Sequence, residues 1–221
     1  MSRLRGTSVL LIVTCAAFTQ TVNHSISSDN ALVAWRPPAW NFLTELPKAT
    51  VSKEMVATLR VSNVPIYFEK TKMDEVRARL GGTTGHAGDA GDYVEWLCFR
   101  GTDPKGLWVL WLESGEIDGG MVGSFQWQRL ANSAMLDRRC RTLQDTRGGI
   151  ELPLALRLGM AETEVRKTLG PPTAKRGDRL IYVHEHQESI RGEPYTSENI
   201  VAILLRDGMV WAIEVSKSTT S

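Results

Sequence analysis

The chain has 221 residues and a formal net charge of +1, from 26 lysines and arginines against 25 aspartates and glutamates. Such a near-neutral surface gives little long-range attraction for phosphate backbones, so the composition argues against nucleic acid as a partner. The length is sufficient for one large domain or for two domains of about 70–100 residues each.

The N-terminus has the pattern of a secretory signal. Arg3 and Arg5 precede an apolar run of about ten residues (8–17), which is too short to span a bilayer. We therefore predict a signal peptide at residues 1–17 and an exported protein that is periplasmic or secreted.

Cys15 leaves two outcomes open. The segment 12–15 (IVTC) resembles a bacterial lipoprotein signal, in which lipid is attached to the cysteine and cleavage occurs just before it. Thr14 departs from that pattern, because the position normally holds Gly, Ala or Ser. Either Cys15 is lipidated and the protein is an outer-membrane lipoprotein, or Cys15 is removed with the signal. Contact with a membrane is expected only in the first case.

The chain contains an internal repeat. The stretch 71–82 (TKMDEVRARLGG) resembles the stretch 160–172 (MAETEVRKTLGPP). Three matched pairs lie 89 residues apart (165 − 76): Val76 with Val165, Leu80 with Leu169, and Gly81 with Gly170. The apolar positions of each stretch share one helical face and the glycines mark a stop, so each stretch is predicted to be a short helix.

Strands are predicted after each helix. Residues 92–99 match 179–186, and residues 106–120 match 199–208. In the second copy, the apolar runs 200–205 and 210–215 flank an Arg-Asp-Gly turn. This turn predicts a tight hairpin, because its glycine adopts positive φ without steric cost.

These elements predict an α+β fold of two tandem units, each a short helical segment packed on an antiparallel sheet of three or four strands. The first unit covers 56–130, a linker covers 131–149, and the second unit covers 150–221. A helix of nine or ten residues is not stable alone, so it needs a sheet on which to bury its apolar face. Residues 18–55 are predicted to be an N-terminal tail laid across the domain.

Residues 158–183 (LGMAETEVRKTLGPPTAKRGDRLIYV) resemble the BamE (SmpA/OmlA) family of small bacterial outer-membrane lipoproteins. The matching positions are Gly159, Met160, Val165, Leu169, Gly170, Pro172, Asp178 and Tyr182. Ala161 departs from the family, which usually has a capping Thr or Ser there. The chain carries this unit twice in tandem, and in that respect it is similar to the β-lactamase inhibitor protein family. The resemblance implies a non-enzymatic envelope protein that holds other proteins.

His184 and His186 are the residues most typical of a metal site. Alternate residues of a strand share one face, so the two imidazoles could hold a cation together. With Asp89, they define an alternative function, a metal-dependent or hydrolytic periplasmic enzyme. A structural metal site takes about four ligands, and the sequence places no further His or Cys to complete one. We therefore favour two surface histidines, no metal or other cofactor, and no enzymatic activity.

Aromatic side chains favour a protein partner instead, because Trp and Tyr are frequent anchors of protein interfaces. Trp108 and Trp111 must face opposite sides of their predicted strand. The loop 81–92 (GGTTGHAGDAGD) could add mobile contacts. The candidate partner-binding residues are Trp96, Trp108, Trp111, Tyr182, Trp211, His86 and Asp89. For any single Trp, filling the core remains the simpler interpretation.

Cys98 and Cys140 are predicted to form a disulfide. Export places both thiols in an oxidising compartment, and loss of Cys15 with the signal leaves an even number of cysteines. The predicted function is an exported, non-enzymatic protein-binding module of the bacterial cell envelope, either an assembly factor or inhibitor-like. A structural envelope lipoprotein anchored at Cys15 is a further alternative.

Overall fold

The computed structural model describes residues 37–38, 46–52, 54–131, 137–143, 149–190 and 192–221. The predicted signal peptide at 1–17 and the candidate lipidation site Cys15 lie outside the described residues. Within them, two helices and twelve strands form in the following order: β1 (Thr58–Val61), β2 (Val64–Tyr67), α1 (Met73–Leu80), β3 (Thr84–Ala87), β4 (Val94–Asp103), β5 (Gly106–Gly115), β6 (Ser124–Arg129), β7 (Arg141–Thr142), β8 (Ile150–Glu151), α2 (Glu162–Leu169), β9 (Ala174–Arg176), β10 (Arg179–Ile190), β11 (Glu193–Arg206) and β12 (Met209–Thr220).

One continuous sheet of nine strands dominates the structure. Eight strands follow the order β3-β4-β5-β6-β12-β11-β10-β9, and β7 pairs in parallel with β4 over two residues. The two halves of the chain join where β6 pairs antiparallel with β12, from Ser124 with Ser216 to Gln128 with Ala212. A second sheet of three short strands has the order β2-β1-β8.

The predicted fold class, two tandem α+β units with a sheet of three or four strands each, is therefore wrong. The structure is mainly β, and strands from both halves of the chain share one hydrogen-bonded sheet. The physical reason lies in the strand edges. β6 pairs with β5 on one side, and β12 pairs with β11 on one side, so each strand has a second edge that these pairings leave open. Antiparallel pairing of these two edges satisfies the backbone groups of both strands.

Both helices have eight residues, and each ends at a glycine. Gly81 follows α1 with φ 73°, and Gly170 follows α2 with φ 82°. Their N–H groups donate to the carbonyl oxygens of Arg77 and Arg166 respectively. A side chain with a Cβ is disfavoured at such positive φ, which explains why both helices stop at glycine. At the start of α2, Ala161 provides no side-chain cap, and Glu164 instead accepts a hydrogen bond from the Ala161 N–H at 3.0 Å.

The main core lies between one face of the large sheet and a layer formed by both helices and the small sheet. Val76 and Val165 are the fully buried residues of the two helices, and Ile66 is fully buried in the small sheet. They pack in one cluster with sheet residues that include Phe99, Leu110, Phe125, Tyr182, Val201, Ile203 and Ile213.

The opposite face of the sheet carries two smaller apolar clusters. In the first half of the sheet, Trp96 and Trp111 pack with Cys98 and Cys140. In the second half, the cluster is aliphatic, and Leu46 and Ala49 of the N-terminal segment pack against it; its buried members are Ile181, Val183, Ile200 and Ala202. The N–H groups of Thr50 and Val51 both donate to the carbonyl oxygen of Val183.

A buried polar row lies between these two clusters. It contains Glu113, Gln126 and Glu214, all less than a tenth exposed. Gln126 donates through Nε2 to the Pro38 carbonyl oxygen (2.8 Å) and to Glu113 Oε1 (3.1 Å). Burial raises the pKa of Glu214 to about 7 despite the opposing charge of Arg179, whose Nη1 lies 2.7 Å from Glu214 Oε2.

Candidate functional site

A cavity of about 610 Å³ lies on the helix-bearing side of the sheet, at the turn that joins β4 to β5. We call it the hairpin cavity. Its lining includes both ring systems of a tryptophan pair, three positively charged side chains and one carboxylate; these residues are Trp108, Trp127, Lys105, Arg129, Arg157 and Asp103. The cavity therefore combines an apolar wall with a polar, positively charged rim.

The apolar wall is built by strand register. Trp108 pairs with Gly101 across β4 and β5, and a Cβ added to Gly101 would overlap the Trp108 indole ring. Only glycine lets this ring lie flat against the neighbouring backbone. Trp127 of β6 meets Trp108 edge-on, with ring centroids 6.5 Å apart and an interplanar angle of 87°. This T-shaped geometry is a favourable arrangement for aromatic rings.

A bidentate ion pair fixes the polar end of the cavity. Arg129 Nη1 and Nη2 donate to the two carboxylate oxygens of Asp103 at 2.6 and 2.8 Å. Arg129 Nη1 also donates to the Gly106 carbonyl oxygen at 3.1 Å, which ties β6 to the turn. Burial acts to raise the pKa of Asp103, but the hydrogen bonds and charges of Arg129 and Lys105 outweigh it and lower the pKa. Asp103 is therefore ionised at neutral pH and compensates the charge of Arg129.

Lys105 and Arg157 form the exposed positive rim. Lys105 Nζ donates to the Gly159 carbonyl oxygen at 2.8 Å, so the lysine bridges the turn to the segment before α2. Arg157 lies 3.6 Å from Glu164 in a largely exposed ion pair. Exposed pairs of this kind contribute little stability, so Arg157 can exchange Glu164 for the acidic group of a ligand.

The Trp127 indole contributes to the apolar wall, because its Nε1 is buried and inaccessible. The arrangement therefore suits a ligand that has an apolar group and a nearby negative charge.

The structure buries most of the aromatic residues predicted to bind a partner. Trp96, Trp111 and Tyr182 are each at most 2% exposed, and they pack within the clusters described above. In this structure they cannot anchor a surface partner, because both faces of the sheet are covered. Trp108 is also buried, although its ring forms part of the cavity wall. The predicted alternation is confirmed, since Trp108 and Trp111 belong to clusters on opposite faces.

Trp211 has a different environment from the other predicted aromatics. Its ring is partly exposed on β12, and the guanidinium carbon of Arg206 lies 3.9 Å from the ring centroid. The predicted hairpin that holds this pair is confirmed, with Asp207 (φ 52°) and Gly208 (φ 73°) as the two turn residues between β11 and β12. Trp211 does not line the hairpin cavity.

The predicted loop at 81–92 contains a short edge strand, β3. His86 lies exposed on that strand and stacks on Tyr93, with ring centroids 6.3 Å apart. Asp89 lies in the exposed turn that follows, where its N–H donates to Asp92 Oδ1 at 2.7 Å. The sequence did not reveal β3, because two of its four residues, Gly85 and Ala87, are of types depleted in strands.

The three residues of the alternative enzyme are not brought together. His184 and His186 stack on β10 with ring centroids 5.3 Å apart, but His184 is buried and its Nδ1–H donates to the Val51 carbonyl oxygen at 2.8 Å. Asp89 follows β3, and five strands of the sheet lie between β3 and β10. Among the described residues, no group of three or more His, Cys, Asp or Glu side chains is placed to hold a metal ion.

The disulfide between Cys98 and Cys140 is confirmed, with Cα atoms 4.6 Å apart. It connects β4 to the segment 137–143. The sequence reasoning missed the cavity residues Asp103, Lys105, Arg129 and Arg157. A weak signal was present, since Asp103-Pro104-Lys105-Gly106 is a charged turn between two strongly apolar strands.

The chain matches no protein-family model, and it has no significant match among characterised proteins or solved structures. In the described part of the chain, no helix is both long enough and apolar enough to cross a membrane.

Proposed function

We propose that this protein is an exported, non-enzymatic binding module of the bacterial cell envelope, and that its hairpin cavity receives an anchor side chain of a protein partner. Export is proposed from the charged and apolar pattern of residues 1–17. The envelope location is proposed from the resemblance of residues 158–183 to BamE-like proteins. The observation that carries the binding proposal is the tryptophan-walled, positively rimmed cavity at the β4–β5 turn.

The chemistry of the cavity favours a peptide segment with an apolar anchor beside a carboxylate. A cavity of about 610 Å³ accommodates a large side chain and its neighbouring backbone. Trp108 and Trp127 supply the apolar contact, and Lys105 and Arg157 attract an acidic group. Buried aromatic walls surrounded by a polar rim are typical of sites where a few residues supply most of the binding energy.

The cavity is also preorganised. Trp108 lies on a regular strand against Gly101, and the Arg129–Asp103 pair fixes the position of the turn relative to β6. Side chains held in this way lose little conformational freedom on binding, so more of the contact energy appears as affinity.

A peptide-display selection on the purified mature protein tests this proposal. We expect enrichment of sequences that place an aromatic or aliphatic residue next to Asp, Glu or a free C-terminus. The selected peptides should bind the Trp127→Phe and Lys105→Ala variants at least several-fold more weakly. Trp211→Phe is the matched control, because Trp211 lies outside the cavity and its replacement should leave binding unchanged. Failure to enrich any consensus, or equal binding by all variants, would refute the proposal.

The location is tested separately. Mass spectrometry of the mature N-terminus, after expression in a bacterium, distinguishes cleavage near residue 18 from a lipid-modified Cys15. A lipid at Cys15 would support the outer-membrane lipoprotein alternative, and an uncleaved chain that starts at Met1 would argue against export.

A further inference from the structure

A second cleft lies beside the disulfide and is rich in arginine. Its volume is about 620 Å³, and it is lined by the segment 138–142, by Arg100 of β4, and by Gly82 and Thr83 after α1. Four of these eight lining residues are arginines: Arg100, Arg138, Arg139 and Arg141. The whole chain is almost neutral, so this concentration of positive charge is local. We call it the arginine cleft.

The segment that carries three of these arginines is held against β4. The Cys98–Cys140 disulfide joins it covalently to β4, and β7 pairs with β4 at Phe99 and Arg100. The Leu143 N–H also donates to the Arg100 carbonyl oxygen at 3.0 Å. The arginine side chains therefore project from a backbone that is fixed before any ligand binds.

Two of the four guanidinium groups are already oriented by neighbours. Arg139 donates to both carboxylate oxygens of Asp137, at 3.1 and 2.8 Å. Arg100 donates through Nε to Thr142 Oγ1 at 2.8 Å and through Nη1 to the Asp137 carbonyl oxygen at 3.2 Å. Hydrogen bonds to Arg139 lower the pKa of Asp137 more than burial raises it, so this carboxylate is ionised at neutral pH.

The other two arginines differ from these in their surroundings. Neither Arg138 nor Arg141 forms an ion pair in the part of the chain that the structure describes, and both are exposed. A Cβ built on Gly81 would lie 3.6 Å from Arg141 Nε, so the Arg141 side chain lies beside the C-terminal end of α1. Among the described residues named here, four arginines and the single carboxylate of Asp137 leave an excess of three positive charges at the cleft.

We infer that the arginine cleft binds a small phosphorylated molecule, through bidentate contacts from Arg138 and Arg141 to a phosphate monoester or pyrophosphate group. Guanidinium groups match the spacing of phosphate oxygens, and such charge-assisted bonds are stronger than neutral ones. The cleft is wide enough for a phosphate together with the group that carries it. This site is separate from the proposed peptide site, because the two cavities share no lining residue among those that the structure describes.

Calorimetric titration of the oxidised protein with inorganic pyrophosphate, glucose 6-phosphate and glucose tests the inference. We expect saturable binding of one or both phosphate compounds and none of glucose; the stronger phosphate ligand identifies whether the phosphate is free or sugar-borne. Binding should weaken as NaCl is raised, because exposed charges are screened. The double variant Arg138→Gln/Arg141→Gln should bind at least ten-fold more weakly.

The control is Arg60→Gln/Arg206→Gln, which removes two exposed arginines elsewhere and should bind like the wild type. If both double variants weaken phosphate binding by the same factor, or if neither variant weakens it, the attraction is not specific to the cleft and the inference is wrong. Reduction of the disulfide gives a second test, because it should weaken phosphate binding while leaving all charges in place. Unchanged affinity after confirmed reduction would contradict the preorganised site. Peptide binding in the hairpin cavity is measured independently, so failure of one proposal does not imply failure of the other.

Discussion

The two halves of the large sheet are stabilised in different ways. The second half, β10 to β12, consists of strands of 12, 14 and 12 residues, with an aliphatic core of residues such as Val201, Ile203 and Ile213. The first half, β4 to β6, has strands of 10, 10 and 6 residues and a core rich in tryptophan. It alone carries the disulfide and the Arg129–Asp103 pair.

This difference corresponds to the distribution of the proposed sites. Long hairpins with aliphatic pairs gain stability from many similar cross-strand contacts. The cavity beside them, lined by Val183, Glu185, Glu198 and the segment 46–49, is smaller, at about 380 Å³. The first half contains bulkier rings, a glycine under Trp108, and charged groups at its turn. Such packing leaves cavities, and the disulfide provides a covalent link that the longer strands of the second half do not have. More than half of the described residues that line the hairpin cavity belong to β4, β5, β6 and their turns, and the arginine cleft adjoins β4 at Arg100.

We expect the largest loss of stability from removing the disulfide, the covalent link of the first half. Cys98→Ala/Cys140→Ala opens a loop of 42 residue steps, and the chain-entropy model predicts a loss of about 4 kcal/mol in the free energy of unfolding. Urea unfolding of the variant and of the oxidised wild type measures this difference in the free energy of unfolding. Wild type treated with reductant is the control and should resemble the variant. Equal stability of oxidised and reduced wild type would show that the first half does not depend on this link.

The second prediction concerns the buried carboxylate of the second half. Burial raises the pKa of Glu214 from its ordinary value of 4.5 to about 7. Between these pH values the folded state keeps a proton that the unfolded state has released, so rising pH favours unfolding. The wild-type free energy of unfolding should therefore fall by up to about 3 kcal/mol between about pH 4.5 and pH 7 through this group.

Glu214→Gln removes the titrating group and should remove this part of the pH dependence. The measurement is urea unfolding at a series of pH values. Glu75→Gln, on the exposed face of α1, is the control and should keep the wild-type profile. If Glu214→Gln and wild type lose stability in parallel as the pH rises, Glu214 is not the group responsible.

Local features of the fold could be predicted from the sequence, and long-range pairing could not. The helix stops at Gly81 and Gly170 and the turn at Asp207-Gly208 follow from backbone conformations that glycine adopts easily. The pairing of β6 with β12 depends on which strand edges remain open after all hairpins have formed. Neither strand carries a sequence pattern that identifies the other, so the continuous sheet was missed.

The candidate sites were missed for a related reason. Alternation correctly placed Trp108 and Trp111 on opposite faces, but it does not reveal that both faces are covered. Asp103 and Arg129 are 26 residues apart and meet only because β4, β5 and β6 are neighbours. The disulfide could be predicted because only Cys98 and Cys140 are left once the expected signal peptide is removed, so no choice between pairings arises.

The third prediction tests the packing that forms the cavity wall. Gly101→Ala places a methyl group against the Trp108 ring, and overpacking of this kind costs about 1–3 kcal/mol. It should also weaken peptide binding, because the displaced ring changes the cavity. In the Trp108→Leu background the same glycine substitution should cost clearly less, as a double-mutant cycle by urea unfolding can measure. If the stability losses of the two substitutions simply add, the position of the Trp108 ring does not depend on Gly101.

The smallest expected effect concerns Trp211, the partly exposed tryptophan of the second half, in contrast to the buried tryptophans of the first half. Arg206 lies over the Trp211 ring at 3.9 Å, and an exposed cation–π contact is worth about 0.5–1 kcal/mol. Arg206→Ala should lower the free energy of unfolding by about that amount and shift tryptophan emission to longer wavelength, because water replaces the guanidinium group. The same substitution in a Trp211→Phe background should leave the emission maximum unchanged, which assigns the signal among the seven tryptophans of the chain. A shift that persists without Trp211 would mean that Arg206 acts on the buried aromatic core, and the contrast between the two halves would then be weaker than the structure indicates.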